Sequence, residues 1–121
     1  MVATKAAPPR VMAFDKLNFQ PRFAYPEMAE AVELAGEADL SALSGGFARF
    51  KDARIPWTVQ YDELILVLEG ELTVETPAGP MVAGKHDTIW LPKGTELTYI
   101  SRDALVFYSL HPANWASAGA Q

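Results

Sequence analysis

From Gly45 onward the chain is a series of short apolar runs, each cut by residues that favour turns. The pattern predicts strands near Phe47–Phe50, Trp57–Gln60, Glu63–Glu69, Glu71–Thr76, Pro80–Val82, Thr88–Leu91, Glu96–Ile100 and Leu105–Leu110. The breaks fall at Gly70, Pro77-Ala78-Gly79-Pro80, Gly84-Lys85, Pro92-Lys93-Gly94 and Arg102-Asp103. Short strands at even spacing predict an all-β sandwich or barrel. In Glu71–Thr76, Leu72 and Val74 alternate with Glu71, Thr73 and Glu75, so one face of that strand is wet. Glu63–Glu69 is apolar on both faces, with Ile65 and Val67 on one and Leu64, Leu66 and Leu68 on the other. It reads as a central strand covered on both sides, with a second subunit as one candidate cover.

The first third is less regular. Met1 to Arg10 reads as a tail. Val11 to Pro26 scatters Phe14, Phe19, Phe23 and Tyr25 among prolines, which suits an extended arm packed on the barrel or on a neighbouring subunit. Glu27 to Ala38 supports two readings. Its Ala/Glu content favours a helix, while its alternation of Glu30, Val32 and Leu34 with Ala31, Glu33 and Ala35 suits a strand.

Composition narrows the function classes. With 121 residues, 50 % of them hydrophobic and 21 % charged, the chain fits one ordinary globular domain. The net charge of −5, with no Lys/Arg cluster, argues against nucleic acid and anionic membranes as partners. The longest strongly apolar stretch, Leu64 to Leu68, is far short of the roughly 20 residues that a spanning helix needs. Met1 to Arg10 lacks the apolar core of a secretory signal, so the cytoplasm is the expected location. The absence of cysteine removes disulfides, thiolate metal sites and cysteine nucleophiles.

Two segments carry the chemistry. The first is Trp57-Thr58-Val59-Gln60-Tyr61-Asp62-Glu63, followed after six residues by Gly70-Glu71-Leu72; the second is His86-Asp87-Thr88-Ile89-Trp90-Leu91-Pro92-Lys93-Gly94. They resemble the two motifs of the cupin superfamily. Together with Val67-Leu68-Glu69 and Pro112-Ala113-Asn114-Trp115 they are similar to the C-terminal cupin domain of the EutQ (ethanolamine-utilization) family, over roughly Gly45 to Trp115. The resemblance implies an all-β, cupin-type antiparallel jelly-roll barrel with an extended N-terminal arm and a pocket at one mouth. Residues 1–26 are then tail and arm, 27–116 the single cupin domain and 117–121 a C-terminal tail. EutQ proteins carry a long region before the cupin that the resemblance does not cover, so it implies nothing about activities that need that region.

Metal-dependent cupins hold their ion with three histidines and the first-motif glutamate, a donor set suited to iron, manganese, nickel or zinc. The corresponding positions here fall among Pro56 to Val59 and at Leu97, none of them histidine, and only Glu63 remains. No metal and no cofactor is therefore expected. His86 reads as an exposed turn residue. His111, at the end of the last strand, faces either the barrel mouth or solvent, and a site from Glu63, His111 and Tyr61 would be an unorthodox one.

Without the histidines the pocket is drier, and burial should raise the pKa of Glu63. The expected catalytic pair is Glu63 with Tyr61. Trp57, Thr58, Gln60, Leu97, Tyr99 and His111 are the expected ligand contacts, and Trp90 is a further candidate aromatic wall. An aromatic pocket bearing a carboxylate suits an amine or ammonium compound. The competing reading makes Glu63 a structural group hydrogen-bonded to backbone or to Tyr99. EutQ has been credited with acetate kinase activity, but Gly45-Gly46 lacks the lysine and Ser/Thr of a phosphate-binding loop. The expected function is binding of a small molecule in the barrel without a histidine-held metal. The alternative is an enzyme of isomerase, lyase or dioxygenase type that uses Glu63 as acid/base or an atypical metal site. A homodimer is the expected assembly.

Overall fold

The computed structural model describes residues 7–22 and 25–118. Phe23 of the arm and the outer parts of both tails lie outside the described residues. Among the described residues, seven strands form one antiparallel sheet: β1 (Gln20–Pro21), β2 (Ala29–Ala35), β3 (Ser44–Thr58), β4 (Asp62–Thr76), β5 (Gly79–Ala83), β6 (Thr88–Leu91) and β7 (Glu96–His111). A one-turn helix, α1 (Trp115–Ala118), follows. The order is β1-β2-β3-β7-β4-β5, and β6 also pairs with β4. The hydrogen-bonded sheet does not close on itself. Its long strands bend so that Ile55, Val67, Leu72 and Val74, all fully buried, meet inside one core. The all-β, antiparallel jelly-roll expectation holds.

Several strands are longer than the pattern predicts. Phe47–Phe50 and Trp57 belong to the single strand β3, and the two runs on either side of Gly70 form the single strand β4. Likewise Glu96–Ile100 and Leu105–Leu110 are joined in β7. The breakers act as bends rather than stops. Gly70 has φ +76°, and the β4–β7 register slips on both sides of it, between Val67 and Glu69 and between Glu71 and Thr73. Such irregularities bend a strand and increase its twist without ending it. One strand can thus serve both ends of the core.

Glu27 to Ala38 resolves as strand β2, followed by a 3-10 turn at Glu37–Asp39. Tertiary pairing overrides helix propensity. Without β2, the outer edge of β3 would carry unpaired backbone groups. Across this pair Glu30 faces Arg49, with the carboxylate 3.6 Å from the guanidinium. The other side of β3 pairs with β7 from Ser44↔Leu110 to Thr58↔Glu96.

The motif turns are tied together by hydrogen bonds. The Lys93 amide donates to Asp62 Oδ1 at 2.9 Å, the Gly94 amide to the Val59 carbonyl at 2.7 Å, and the Val59 amide to the Thr95 carbonyl at 2.9 Å. Asp87 accepts from the Gly84 amide at 2.9 Å, and His86 is an exposed turn residue with φ +73°. The arm packs on the sheet through aromatic contacts. Arg49 lies 5.6 Å from the Phe14 ring and 4.9 Å from the Phe19 ring, and Phe14 meets Phe47 edge-on at 5.1 Å.

A Cβ on Gly70 would collide with the Asp103 carbonyl, in addition to the strain of a positive φ. Gly70→Ala should therefore cost roughly 2 kcal/mol or more of stability. Urea unfolding checks this; a loss below about 0.5 kcal/mol would show that the bend tolerates a side chain.

Candidate functional site

Strand alternation places Tyr61, Glu63, Ile65 and Val67 on the inward face, with exposures of 2 %, 6 %, 3 % and 0 %. Glu63 pairs with Leu91 of β6 on one side and Leu110 of β7 on the other. Held between two strands, its side chain has only the interior to enter. Leu97, Tyr99 and Ser101 alternate inward along β7. Further along the same strand, Tyr108 opposes Gly46 of β3. A Cβ on Gly46 would collide with the Tyr108 phenol and the Val32 carbonyl, so this glycine makes room for the tyrosine.

These groups surround a cavity of about 30 Å³, whose polar lining is Arg22, Tyr61, Glu63, Tyr99 and Tyr108. Alanine, aliphatic and Phe50 side chains complete the wall. The Tyr99 hydroxyl donates to Glu63 Oε1 at 3.5 Å, and its ring lies 5.5 Å from that of Phe50. The Arg22 guanidinium hydrogen-bonds the Tyr61 phenol, and the Trp57 indole lies beside it. The volume accommodates a water or two, or one functional group of a larger molecule.

Burial raises the Glu63 carboxyl from an ordinary 4.5 to about 7, against the opposing pull of the Arg22 guanidinium and the Tyr99 hydroxyl. Burial likewise raises Tyr61 and Tyr99, reinforced by the nearby Glu63 charge. Tyr108 is raised for the same first reason, with Arg22 opposing. The phenols therefore remain protonated donors near neutral pH, while Glu63 is divided between acid and carboxylate.

Of the residues singled out from the sequence, Tyr61, Glu63 and Tyr99 come together. Trp57 stands one layer behind. Its indole lies beside Tyr61, and the ring meets Trp115 edge-on at 6.1 Å, while Tyr61 and Trp115 lie 4.9 Å apart. Thr58, Gln60, Leu97 and His111 do not line the cavity. Thr58 and Gln60 are exposed, and the Gln60 amide is occupied with the Thr58 carbonyl at 2.9 Å. Leu97 is buried in the core opposite Trp57, and His111 is exposed at the end of β7 opposite Asp62. Trp90 is 56 % exposed on the outer face and forms no wall. For the sheet residues Thr58, Trp90 and His111 the reason is strand parity, which sends alternate side chains outward.

Two site residues escaped the sequence reading. Arg22 reaches Tyr61 from the arm, across a separation that no local pattern reveals. Its one signal is that it is the only cation between Lys16 and Arg49. Tyr108 shares the inward parity of Val106 and Leu110, and that alternation could have found it. Among the described residues, no three of His, Cys, Asp and Glu are grouped to hold a metal ion. The donor set does not fit the three-histidine site of metal-dependent cupins, since Glu63 is surrounded by phenols and a guanidinium. Among the described residues, no helix is long and apolar enough to cross a membrane.

The bent antiparallel sheet with a pocket inside it is that of a cupin. It superposes on an RmlC-like cupin from Shewanella frigidimarina with a TM-score of 0.69 over 88 % of this chain and 93 % of that one, at 11 % identity, which speaks for the fold alone. The family description "Ethanolamine utilisation protein EutQ" matches residues 13–117, and the chain belongs to the EutQ family. It is 37 % identical over 95 residues to the acetate kinase EutQ of Salmonella typhimurium, which covers 78 % of this chain and 42 % of that protein. The crystal structure of an ethanolamine utilization protein Q from the same species matches with a TM-score of 0.79 and 34 % identity, over 86 % of each chain. The chain thus spans about two fifths of the length of the curated Salmonella relative.

A carboxyl whose folded pKa lies above its unfolded value stabilises the fold through its protonated form. That contribution is complete below about pH 4.5 and is lost as pH rises through about 7. Stability should fall by on the order of 3 kcal/mol across this window. Glu63→Gln, which stays neutral, should flatten the profile. Urea midpoints measured from pH 4 to 8 check this, and parallel profiles for the two proteins would reject a raised Glu63.

Proposed function

We propose that this EutQ-family cupin binds a small molecule in the Glu63 cavity, in the cytoplasm, through protein groups alone. The observation that carries the reading is a 6 %-exposed carboxyl facing a guanidinium and three phenols around unfilled space. A core built for stability alone would fill that space with apolar side chains. Arg22 changes the ligand chemistry expected from the sequence. With one cation, a half-protonated acid and three phenol donors, the cavity favours an oxygen acceptor such as a small carboxylate over an amine. The Salmonella relative is named an acetate kinase, which agrees with a carboxylate in this position. No phosphate-cradling loop accompanies it in this sequence, so the reading extends to binding and not to phosphoryl transfer.

A thermal-shift screen of small carboxylates and amines tests the ligand class. Carboxylates should stabilise the protein, more at pH 6 than at pH 8, because protonated Glu63 can donate to them; stabilisation by amines alone would reverse the assignment. Elemental analysis of protein purified without chelator or histidine tag tests the metal-free reading. A near-stoichiometric transition metal would overturn it.

A second reading, in which Glu63 acts as general acid or base, is favoured by its pKa of about 7, close to the working pH. With a turned-over substrate in hand, Glu63→Gln should lower kcat by about 10²–10⁴-fold while KM changes little. Retained turnover would leave binding as the role of the site.

The assembly reading is a homodimer built on the outer face of β4 and β6. Leu64 and Trp90 face each other across that pair and are 55 % and 56 % exposed, with Val82 of β5 at 60 %. Adjacent exposed apolar side chains of this size mark an interaction surface. Leu64→Asp should shift the protein from dimer to monomer in sedimentation equilibrium. A wild-type monomer at high concentration would reject the dimer.

A further inference from the structure

Two cavities share one wall. The inner one, about 30 Å³, contains Glu63, and an outer groove of about 330 Å³ lies on the β1–β2 side. Arg22, Ala31 and Tyr108 border both. The groove adds polar groups of its own: Asn18, Gln20 and Glu33 line it, and the buried Ser44 hydroxyl donates to Glu33 Oε2 at 2.6 Å.

The backbone that carries Arg22 is fastened. Gln20 and Pro21 pair with Ala31 and Glu30, and the Arg22 amide donates to the Ala29 carbonyl at 3.0 Å. Upstream, Phe14 and Phe19 hold the arm against Arg49 and Phe47. The guanidinium hydrogen-bonds the Tyr61 phenol, a contact that a ligand group can exchange for its own, and it attracts the Glu63 charge. On the opposite wall Tyr108 stands in the space that Gly46 leaves. A long, half-buried arginine on a fixed backbone can change rotamer without moving the strand that carries it.

We propose that the inner cavity and the outer groove are two parts of one site for an elongated small molecule, with Arg22 as the specificity-determining neck between them. The inner part takes a single oxygen-bearing end group, which replaces Tyr61 as the acceptor or partner of the guanidinium. The groove, about ten times larger, takes the body. This rests on the reading of the pocket as a binding site and adds the shape of the ligand and the residue that admits it.

The test is the rate at which Glu63 in the full chain is amidated by a water-soluble carbodiimide with glycine ethyl ester, read by peptide mass spectrometry. On the proposed geometry the reagent reaches Glu63 through the groove and past Arg22. Arg22→Ala should raise the rate at least tenfold and Arg22→Lys by an intermediate factor, with near-ultraviolet circular dichroism confirming the fold. Gln20→Trp, which places a bulky ring in the groove opposite Ala31, should remove most of the gain when added to Arg22→Ala. Equal rates in wild type and both Arg22 variants, or no effect of Gln20→Trp, would overturn the proposal. Thermal shifts with acetate, butyrate, hexanoate and octanoate separate this failure from failure of the binding reading. Stabilisation that grows with chain length, and is lost in Gln20→Trp, supports the two-part site. Stabilisation independent of chain length overturns it. No shift with any of the four, in wild type and Arg22→Ala alike, rejects the pocket as a carboxylate-binding site whatever the labelling shows.

Discussion

The burial of one carboxyl in the middle of a sheet is the constraint to which the rest of the site answers. Glu63 lies between β6 and β7 with its side chain turned inward, so it cannot reach solvent by rotating. An isolated carboxylate in such a place is costly, and a protein can limit that cost by protonating the group or by surrounding it with donors. This chain does both. Tyr99 donates to Glu63 and Arg22 attracts its charge, yet burial still prevails and brings the pKa to about 7. The site is thereby poised to gain or lose a proton when a charged group enters.

The fold supplies this arrangement through backbone devices more than through side-chain chemistry. The bend at Gly70 lets β4 carry Glu63 at one end and the Leu72–Val74 core face at the other. The missing side chain of Gly46 makes the space for Tyr108. Asp62, facing away from the cavity, fastens the Pro92-Lys93-Gly94 turn and so sets where Tyr61 and Glu63 begin the strand. The two motifs that in metal-dependent cupins present histidines here present a hydrogen-bonded frame. Its polar interior is made of phenols, one acid and one guanidinium, a set that holds protons and oxygen acceptors better than a transition metal.

Much of this was legible in the chain itself. The apolar alternation located most of the strands, and the spacing of Glu63, Gly70 and Pro92-Lys93-Gly94 carried the family resemblance. Strand continuity was not legible, because a glycine that bends a strand and one that ends it look alike in sequence. Glu27 to Ala38 was balanced between two local preferences, and only the need of β3 for an edge partner decides for a strand. Tyr61 and Tyr99 share parity with Glu63 or lie across from it, so alternation reaches them. Thr58 and His111 have the outward parity, and Gln60 turns back onto its own backbone. Arg22 could not have been placed, because its role depends on an arm folding back over the sheet to bring its guanidinium to Tyr61, far along the chain.

The central claim is that Glu63 is a buried, half-protonated acid at neutral pH, and its ionisation can be observed directly. Protein labelled with ¹³C at the glutamate side-chain carboxyl carbon, with the Glu63 signal assigned by its loss in Glu63→Gln, reports the titration of that one group by nuclear magnetic resonance. A midpoint near 7 is expected, well above the ordinary carboxyl value of 4.5. A midpoint at the ordinary value of about 4.5 would mean that Glu63 is solvated or fully paired, and would contradict the account.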